Sequence, residues 1–215
     1  MEKNIRRFFF SVFVQDLFAI PLARLFIRLN VAANYVTALG LISALASGFL
    51  YVGKFYFFGS LFFFIALILD STDGRVARGT NTFSDFGAKL DAIADKVRSF
   101  FVAFCFIYSL EYGLLYSSLI FLFYIFLPLV RAVMSYKDSE FYDPTINFWD
   151  ATPFRFWFLK HKVWGFYNGW ERSVVALLIA PLMTNKMEVF IFSVVLEQII
   201  FALGFLFFKD KKLGI

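Results

Sequence analysis

The stretch that decides the reading runs Asp70-Ser71-Thr72-Asp73-Gly74-Arg75-Val76-Ala77-Arg78 and, eight residues later, Gly87-Ala88-Lys89-Leu90-Asp91-Ala92-Ile93-Ala94-Asp95. It sets four carboxylates, with Gly74 and Gly87, at the joint between two strongly apolar segments. An unpaired acid inside hydrocarbon is costly, so acids in such a place are read as functional, either neutralised by a cation or lining a polar cavity. Asp91 and Asp95 are four apart and share a helix face, and Asp70 and Asp73, three apart, share a face or a helix end. Two such pairs facing each other make an oxygen-only cage. Like charges that close repel, and with no Cys or His nearby the neutralisers that suit are hard divalent cations, Mg²⁺ or Mn²⁺ before zinc. Gly74 lets a ligand approach the backbone, and Arg78 offers a fixed planar cation for phosphate oxygens.

Composition settles the class. Of 215 residues, 60% are hydrophobic and 34 are Phe, and the mean hydropathy is +0.72. A soluble domain is usually about 45–50% apolar, so this is read as an all-α integral membrane protein. Six segments suit a spanning helix of about 20 apolar residues: Tyr35 to Tyr51, Phe55 to about Arg78, Ser84 to Leu110, Leu114 to Met134, Gly165 to Thr184 and Val189 to Phe208. The sixth holds Glu197 and Gln198, which should face protein rather than lipid. Residues 1–33 read as an amphipathic interfacial helix, bent or interrupted near Pro21, rather than a cleavable signal peptide. The competing reading is a first span from Phe8 to Leu22. Residues 34–208 form the six-helix bundle and 209–215 a cytoplasmic tail, together one membrane domain over 1–215.

Cation placement orients the bundle. With both termini inside, only Lys54 and Lys186 of the 21 Lys and Arg fall outside, as the positive-inside rule asks. The acids then lie toward the cytoplasm. The net charge of +5 suits anionic lipid and phosphorylated substrates, and no nucleic acid is expected as a partner. The long cytoplasmic connection 137–164, rich in aromatics, either covers the site or lies in the interface, which Trp and Tyr favour. Cys105 reads as packing and His161 as a loop residue, and one Cys with one His cannot build a zinc site.

The quoted stretch resembles the CDP-alcohol phosphotransferases, whose signature D-x-x-D-G-x-x-A-R, eight residues, G-x-x-x-D-x-x-x-D is matched at every fixed position. Eight fixed positions match by chance about once in 10¹⁰ starting points at ordinary residue frequencies. The alternative, acids held as structural ion pairs by Arg75, Arg78, Lys96 and Arg98, leaves the spacing unexplained.

The resemblance implies transfer of a phosphatidyl group from CDP-diacylglycerol to a polar alcohol with release of CMP. Asp70, Asp73, Asp91 and Asp95 would hold two divalent cations, Asp95 doubling as catalytic base. It implies a donor site at Gly74, Ala77, Arg78, Ser84 and Gly87. Asn34-Tyr35-Val36-Thr37 resembles the family's P-N-x-V-T element with Ala33 in place of the proline, adding Asn34 and Thr37, whose alternative role is to cap a helix. Ser84 likewise has a cap as its alternative role. Val130-Arg131-Ala132 and Trp170-Glu171-Arg172 loosely resemble the acceptor-phosphate pocket of the phosphatidylinositol-phosphate-synthase-like branch. They nominate Arg131 and Arg172 for an acceptor such as inositol phosphate or glycerol 3-phosphate, the alternative being pairing of Arg172 with Glu171 or with lipid headgroups. A homodimer is also implied. The rival donors are CDP-choline, CDP-ethanolamine or a CDP-polyol. A cation transporter would need acids spread over opposed helices and a route outward, and a silent scaffold would not need the motif.

Overall fold

The computed structural model describes residues 10–82, 84–137, 153 and 169–208. Among these every regular element is helical. A short π-helical segment (Ser11–Gln15) leads into α1 (Asp16–Arg28), followed by α2 (Ala33–Val52) and α3 (Tyr56–Thr80). Next, α4 (Asp85–Lys96) passes through a π-helical segment (Val97–Phe101) into α5 (Val102–Ser109) without a break. Then come α6 (Gly113–Lys137), α7 (Gly169–Val174) with its π and 3₁₀ continuation to Leu182, and α8 (Lys186–Phe208).

Among the described residues, four helical stretches are long and apolar enough to cross a membrane: Ala33–Val52, Tyr56–Thr80, Gly113–Arg131 and Lys186–Phe207. The other two expected spans differ for separate reasons. The helical path from Asp85 to Ser109 has the length, about 37 Å at 1.5 Å per residue, but its first half is charged. The fifth reaches only Arg172–Leu182 as an apolar helix among the described residues. Positions 138–152 and 154–168, which hold His161 and most of the long connection, lie outside the described residues, as do 1–9 and the tail 209–215.

Small side chains let α2 sit at the centre. Gly40, Ser43, Ala44, Ser47 and Gly48 are all buried along it, which is how helices approach closely where lipid supplies no hydrophobic drive. A Cβ on Gly40 would already touch that of Leu69 at 3.4 Å. Ser47 Oγ donates to the Gly59 carbonyl at 2.7 Å, satisfying its hydroxyl inside the apolar core. Deeper in, Tyr51, Phe63, Phe106, Tyr124 and Phe190 form one cluster with α7 and its continuation, and Tyr51 Oη donates to the Leu177 carbonyl.

Three short connections meet at one end of the bundle. Lys54, in the turn after α2, pairs with Glu111 before α6 at 2.5 Å, and Lys186 at the start of α8 lies 4.8 Å over the Tyr56 ring. Lys54 and Lys186 therefore share the end opposite Arg78. At that other end α3 stops at Asn81, whose left-handed φ of 56° turns the chain toward α4.

The N-terminal helix runs uninterrupted through Pro21. It packs against α3: Phe18 meets Phe64 edge-on at 5.6 Å, and Ile27 lies where a side chain on Gly79 would go. Gln15, fully buried, donates to the Leu67 carbonyl at 2.6 Å, and Asp16 pairs with Arg75. The polar pair that breaks the apolar N-terminal run is thus what fastens α1 to the motif helix.

Candidate active site

The motif folds as two helices because its own residues mark the joint. Ser84, with extended backbone, caps α4 by accepting from the Gly87 amide at 2.9 Å. This brings Asp91 and Asp95, one turn apart on α4, to face Asp70 on α3. One carboxylate oxygen from each of the three lies within 4.8 Å of the others. Arg98, in the π-helical segment, reaches Asp70 at 2.8 Å and also pairs with Asp95. It is buried, as Asp73 is, while Asp70, Asp91 and Asp95 are half-buried.

Asp73 stands apart from that triad. Its Oδ2 accepts from Thr37 Oγ1 at 2.6 Å across the α2–α3 contact. It lines, with Asp91, a cavity of ≈ 240 Å³. All seven residues nominated for the donor also line this cavity: Asn34, Thr37, Gly74, Ala77, Arg78, Ser84 and Gly87. Asp91 thus belongs both to the carboxylate triad and to the cavity wall.

Two glycines line that wall. A Cβ on Gly87 would lie 2.8 Å from Asn34 Oδ1 and 3.0 Å from Ser84 Oγ, so any side chain there displaces both. On Gly74 it would meet the Arg78 guanidinium at 3.4 Å, an ordinary contact. Asn34 is not a cap: α2 begins at Ala33 with Ala32 before it, leaving the Asn34 side chain in the cavity. Ser84 does both, capping α4 and lining the cavity.

Residues 30–208 match the family model for CDP-alcohol phosphatidyltransferase. The chain belongs to this family. Over 71 residues it is 46% identical to the CDP-diacylglycerol–serine O-phosphatidyltransferase of Methanocaldococcus jannaschii, covering 33% of this chain and 31% of that protein. Over 77 residues it is 36% identical to an uncharacterised protein of Aquifex aeolicus, covering 35% and 39%. The alignments span roughly a third of these curated relatives. No solved structure matches. Membership of a lipid-synthesis family and the four apolar helices together make this a membrane protein.

The two nominated arginines meet elsewhere in the chain. Arg131 of α6 and Arg172 of α7 converge on one carboxylate, Glu197 of α8, Arg172 at 3.1 Å. Glu197 is fully buried, as its place in an apolar helix requires. Arg172 also donates to the Tyr124 carbonyl at 3.0 Å and lies 4.3 Å over the Tyr124 ring. Glu171's side chain lies outside the described residues.

Sequence reading missed Thr82 and Ala33 as lining residues, since neither is fixed in the motif. It counted Arg98 only as a possible ion-pair partner. The signal for Arg98 was its spacing, three residues beyond Asp95 and so on the acid face of the same helix.

Proposed function

We propose that this chain transfers a phosphatidyl group from CDP-diacylglycerol to a small polar alcohol, releasing CMP. The observation that carries the reading is the coincidence of the seven nominated donor residues with a cavity whose wall shares Asp91 with a carboxylate triad. The donor set is all oxygen, and its carboxylates outnumber the one arginine among them, which fits hard divalent cations. Asp70, Asp91 and Asp95 would hold one and Asp73 with Asp91 the second. Bound there, two Mg²⁺ or Mn²⁺ ions supply charge neutralisation for the pyrophosphate and for the CMP phosphate as it leaves.

The chain's own groups do the rest. Thr37 orients Asp73 through its hydrogen bond. Gly74 and Gly87 admit the nucleotide against bare backbone, and Arg78 binds the pyrophosphate oxygens. Asp95 accepts the proton of the acceptor hydroxyl as its oxygen attacks the phosphorus that bears diacylglycerol. The new P–O bond forms as the P–O bond to CMP breaks, with one inversion and no covalent enzyme intermediate.

In this reading six helices span, with both termini and the acids on the cytoplasmic side, the N-terminal segment is interfacial, and the chain acts as one domain in a homodimer. Arg131 and Arg172 bind the acceptor's anionic group, two cations against one glutamate leaving a positive balance for it. A phosphorylated alcohol supplies such a group. Serine, through its carboxylate, is the second reading, favoured by the name of the archaeal relative.

The test is CMP release by purified protein from CDP-diacylglycerol with Mg²⁺, screened over inositol phosphate, glycerol 3-phosphate, serine and inositol. Release with one acceptor, lost in Asp95→Asn, supports the reading and names the product. Release with none, from folded metal-loaded protein, overturns the donor assignment and directs the search to soluble CDP-alcohols.

A further inference from the structure

A second cavity, of ≈ 460 Å³, lies between α1 and α3. Its lining is apolar throughout: Pro21, Leu22 and Leu25 from α1 face Ile65, Ile68 and Leu69 from α3, with Phe18 at the end where it meets Phe64. The spacing Pro21, Leu22, Leu25 is one stripe of a helix, as is Ile65, Ile68, Leu69. Just before the α1 stripe, Gln15 donates to the Leu67 carbonyl and Asp16 pairs with Arg75, polar contacts that tie α1 to α3. Small contacts at Ala23, Ala33 and Val76 close the other end.

The cavity's position on α3 says what fills it. Leu69 lines it, Asp70 follows directly in the carboxylate triad, and Asp73, one helical turn on from Leu69, lines the polar cavity. Read along α3, an apolar chamber, the acids and a polar chamber therefore follow one another within about two turns. That is the order of parts in an amphiphile whose tail, pyrophosphate and polar head are joined in series. Phe18 and Leu25 are each about half exposed at its rim, so the chamber is open toward the lipid side.

We infer that the α1–α3 chamber is the subsite for one acyl chain of the lipid donor, which makes the N-terminal helix part of donor selection. The inference rests on the donor reading above. It assigns α1 a role that lies outside the family match, which starts at residue 30.

The experiment uses the full chain in nanodiscs with a CDP-diacylglycerol carrying a photoactivatable diazirine in one acyl chain. Crosslinks are mapped by mass spectrometry, with unlabelled CDP-diacylglycerol and with CDP as competitors. The expected result is adducts within residues 18–25 and 65–69, removed by the lipid far more than by CDP. In parallel, Leu22→Trp and Ile65→Phe fill the chamber, and Leu17→Trp, on the exposed side of α1, is the control. Filling should lower kcat/KM for a dioleoyl donor at least about tenfold, as lost burial of a few methylenes predicts, with a dihexanoyl donor changed less than twofold.

Adducts at the chamber from a protein that releases no CMP would uphold the subsite and overturn the transfer reading. Adducts elsewhere in an enzyme that does release CMP, or filled variants with unchanged chain-length preference, would overturn the subsite and leave the transfer reading standing.

Discussion

Beside the triad of Asp70, Asp91 and Asp95, Arg98 pairs with two of the three acids, Asp70 and Asp95, whereas the one carboxylate of Glu197 takes both Arg131 and Arg172. Both groups sit inside an apolar bundle, and they are built in opposite ways. The acids outnumber their cation, lie half-buried, and border a cavity through Asp91. Glu197 is sealed, and its arginines are covered by aromatic rings, Arg172 on Tyr124 and Arg131 on Phe201. A charge excess beside an opening is poised to take a ligand of opposite sign. A carboxylate clasped by three helices works first as a joint, whatever acceptor group its arginines also bind.

The widest gap between the two groups should appear on Asp95→Asn. Loss of the proton acceptor and of one ligand charge lowers kcat by about 10²–10⁴-fold, while removing one of several crowded like charges leaves thermal stability equal or higher. Steady-state CMP release and melting in detergent check both halves. A variant with wild-type kcat would take the base assignment away from Asp95.

Glu197→Gln should invert that pattern. It leaves Arg131 and Arg172 without their shared carboxylate in a buried place, and breaking a buried pair in this way costs about 3–5 kcal/mol. Melting and yield should fall first, with activity lost in proportion to folded protein. If the variant were as stable as wild type but slow with one acceptor only, Glu197 would belong with substrate binding and the contrast would narrow.

How far this was legible in the sequence follows the range of the interactions. The acids, Gly87 and Arg78 sit at helical spacings within 26 residues, so their shared surroundings could be read from periodicity and the motif. Asn34 and Thr37 were found through a resemblance and meet Gly87 and Asp73 only because α2 packs on both α4 and α3. The Arg131–Glu197 pair, 66 residues apart, has no local signal, since a lone acid in an apolar helix says only that it needs a partner. The same holds for Asp16 with Arg75, 59 apart. Among the described residues four helices qualify as spans: the helix that carries Asp91 and Asp95 is too charged in its first half to look like one, and the fifth reaches only Arg172–Leu182 as an apolar helix.

Gly87→Ala probes the cavity side of the contrast without touching a charge. Its methyl would meet Asn34 Oδ1 at 2.8 Å and Ser84 Oγ at 3.0 Å, so either the cap or the Asn34 side chain must move, at about 1–3 kcal/mol. The expected outcome is a rise in KM for the CDP donor with kcat and acceptor KM little changed. A fall in kcat alone would mean that the cap on α4, and through it the register of Asp91 and Asp95, was disturbed instead.

The smallest effect is expected at Thr37→Val, which keeps the shape and removes the hydrogen bond to Asp73. An intramolecular bond to a charged group is worth about 1.5–3 kcal/mol, but Asp73 faces a cavity where water can replace the hydroxyl, so the shift should fall near the lower bound. It should appear in the Mg²⁺ concentration giving half-maximal rate, because Thr37 is argued to orient a metal ligand and not to touch the acceptor. Arg131→Gln should leave that concentration unchanged and move acceptor KM instead. If both variants moved the same parameter, the two charged groups would be energetically one site, and the separation drawn between them would be one of distance only.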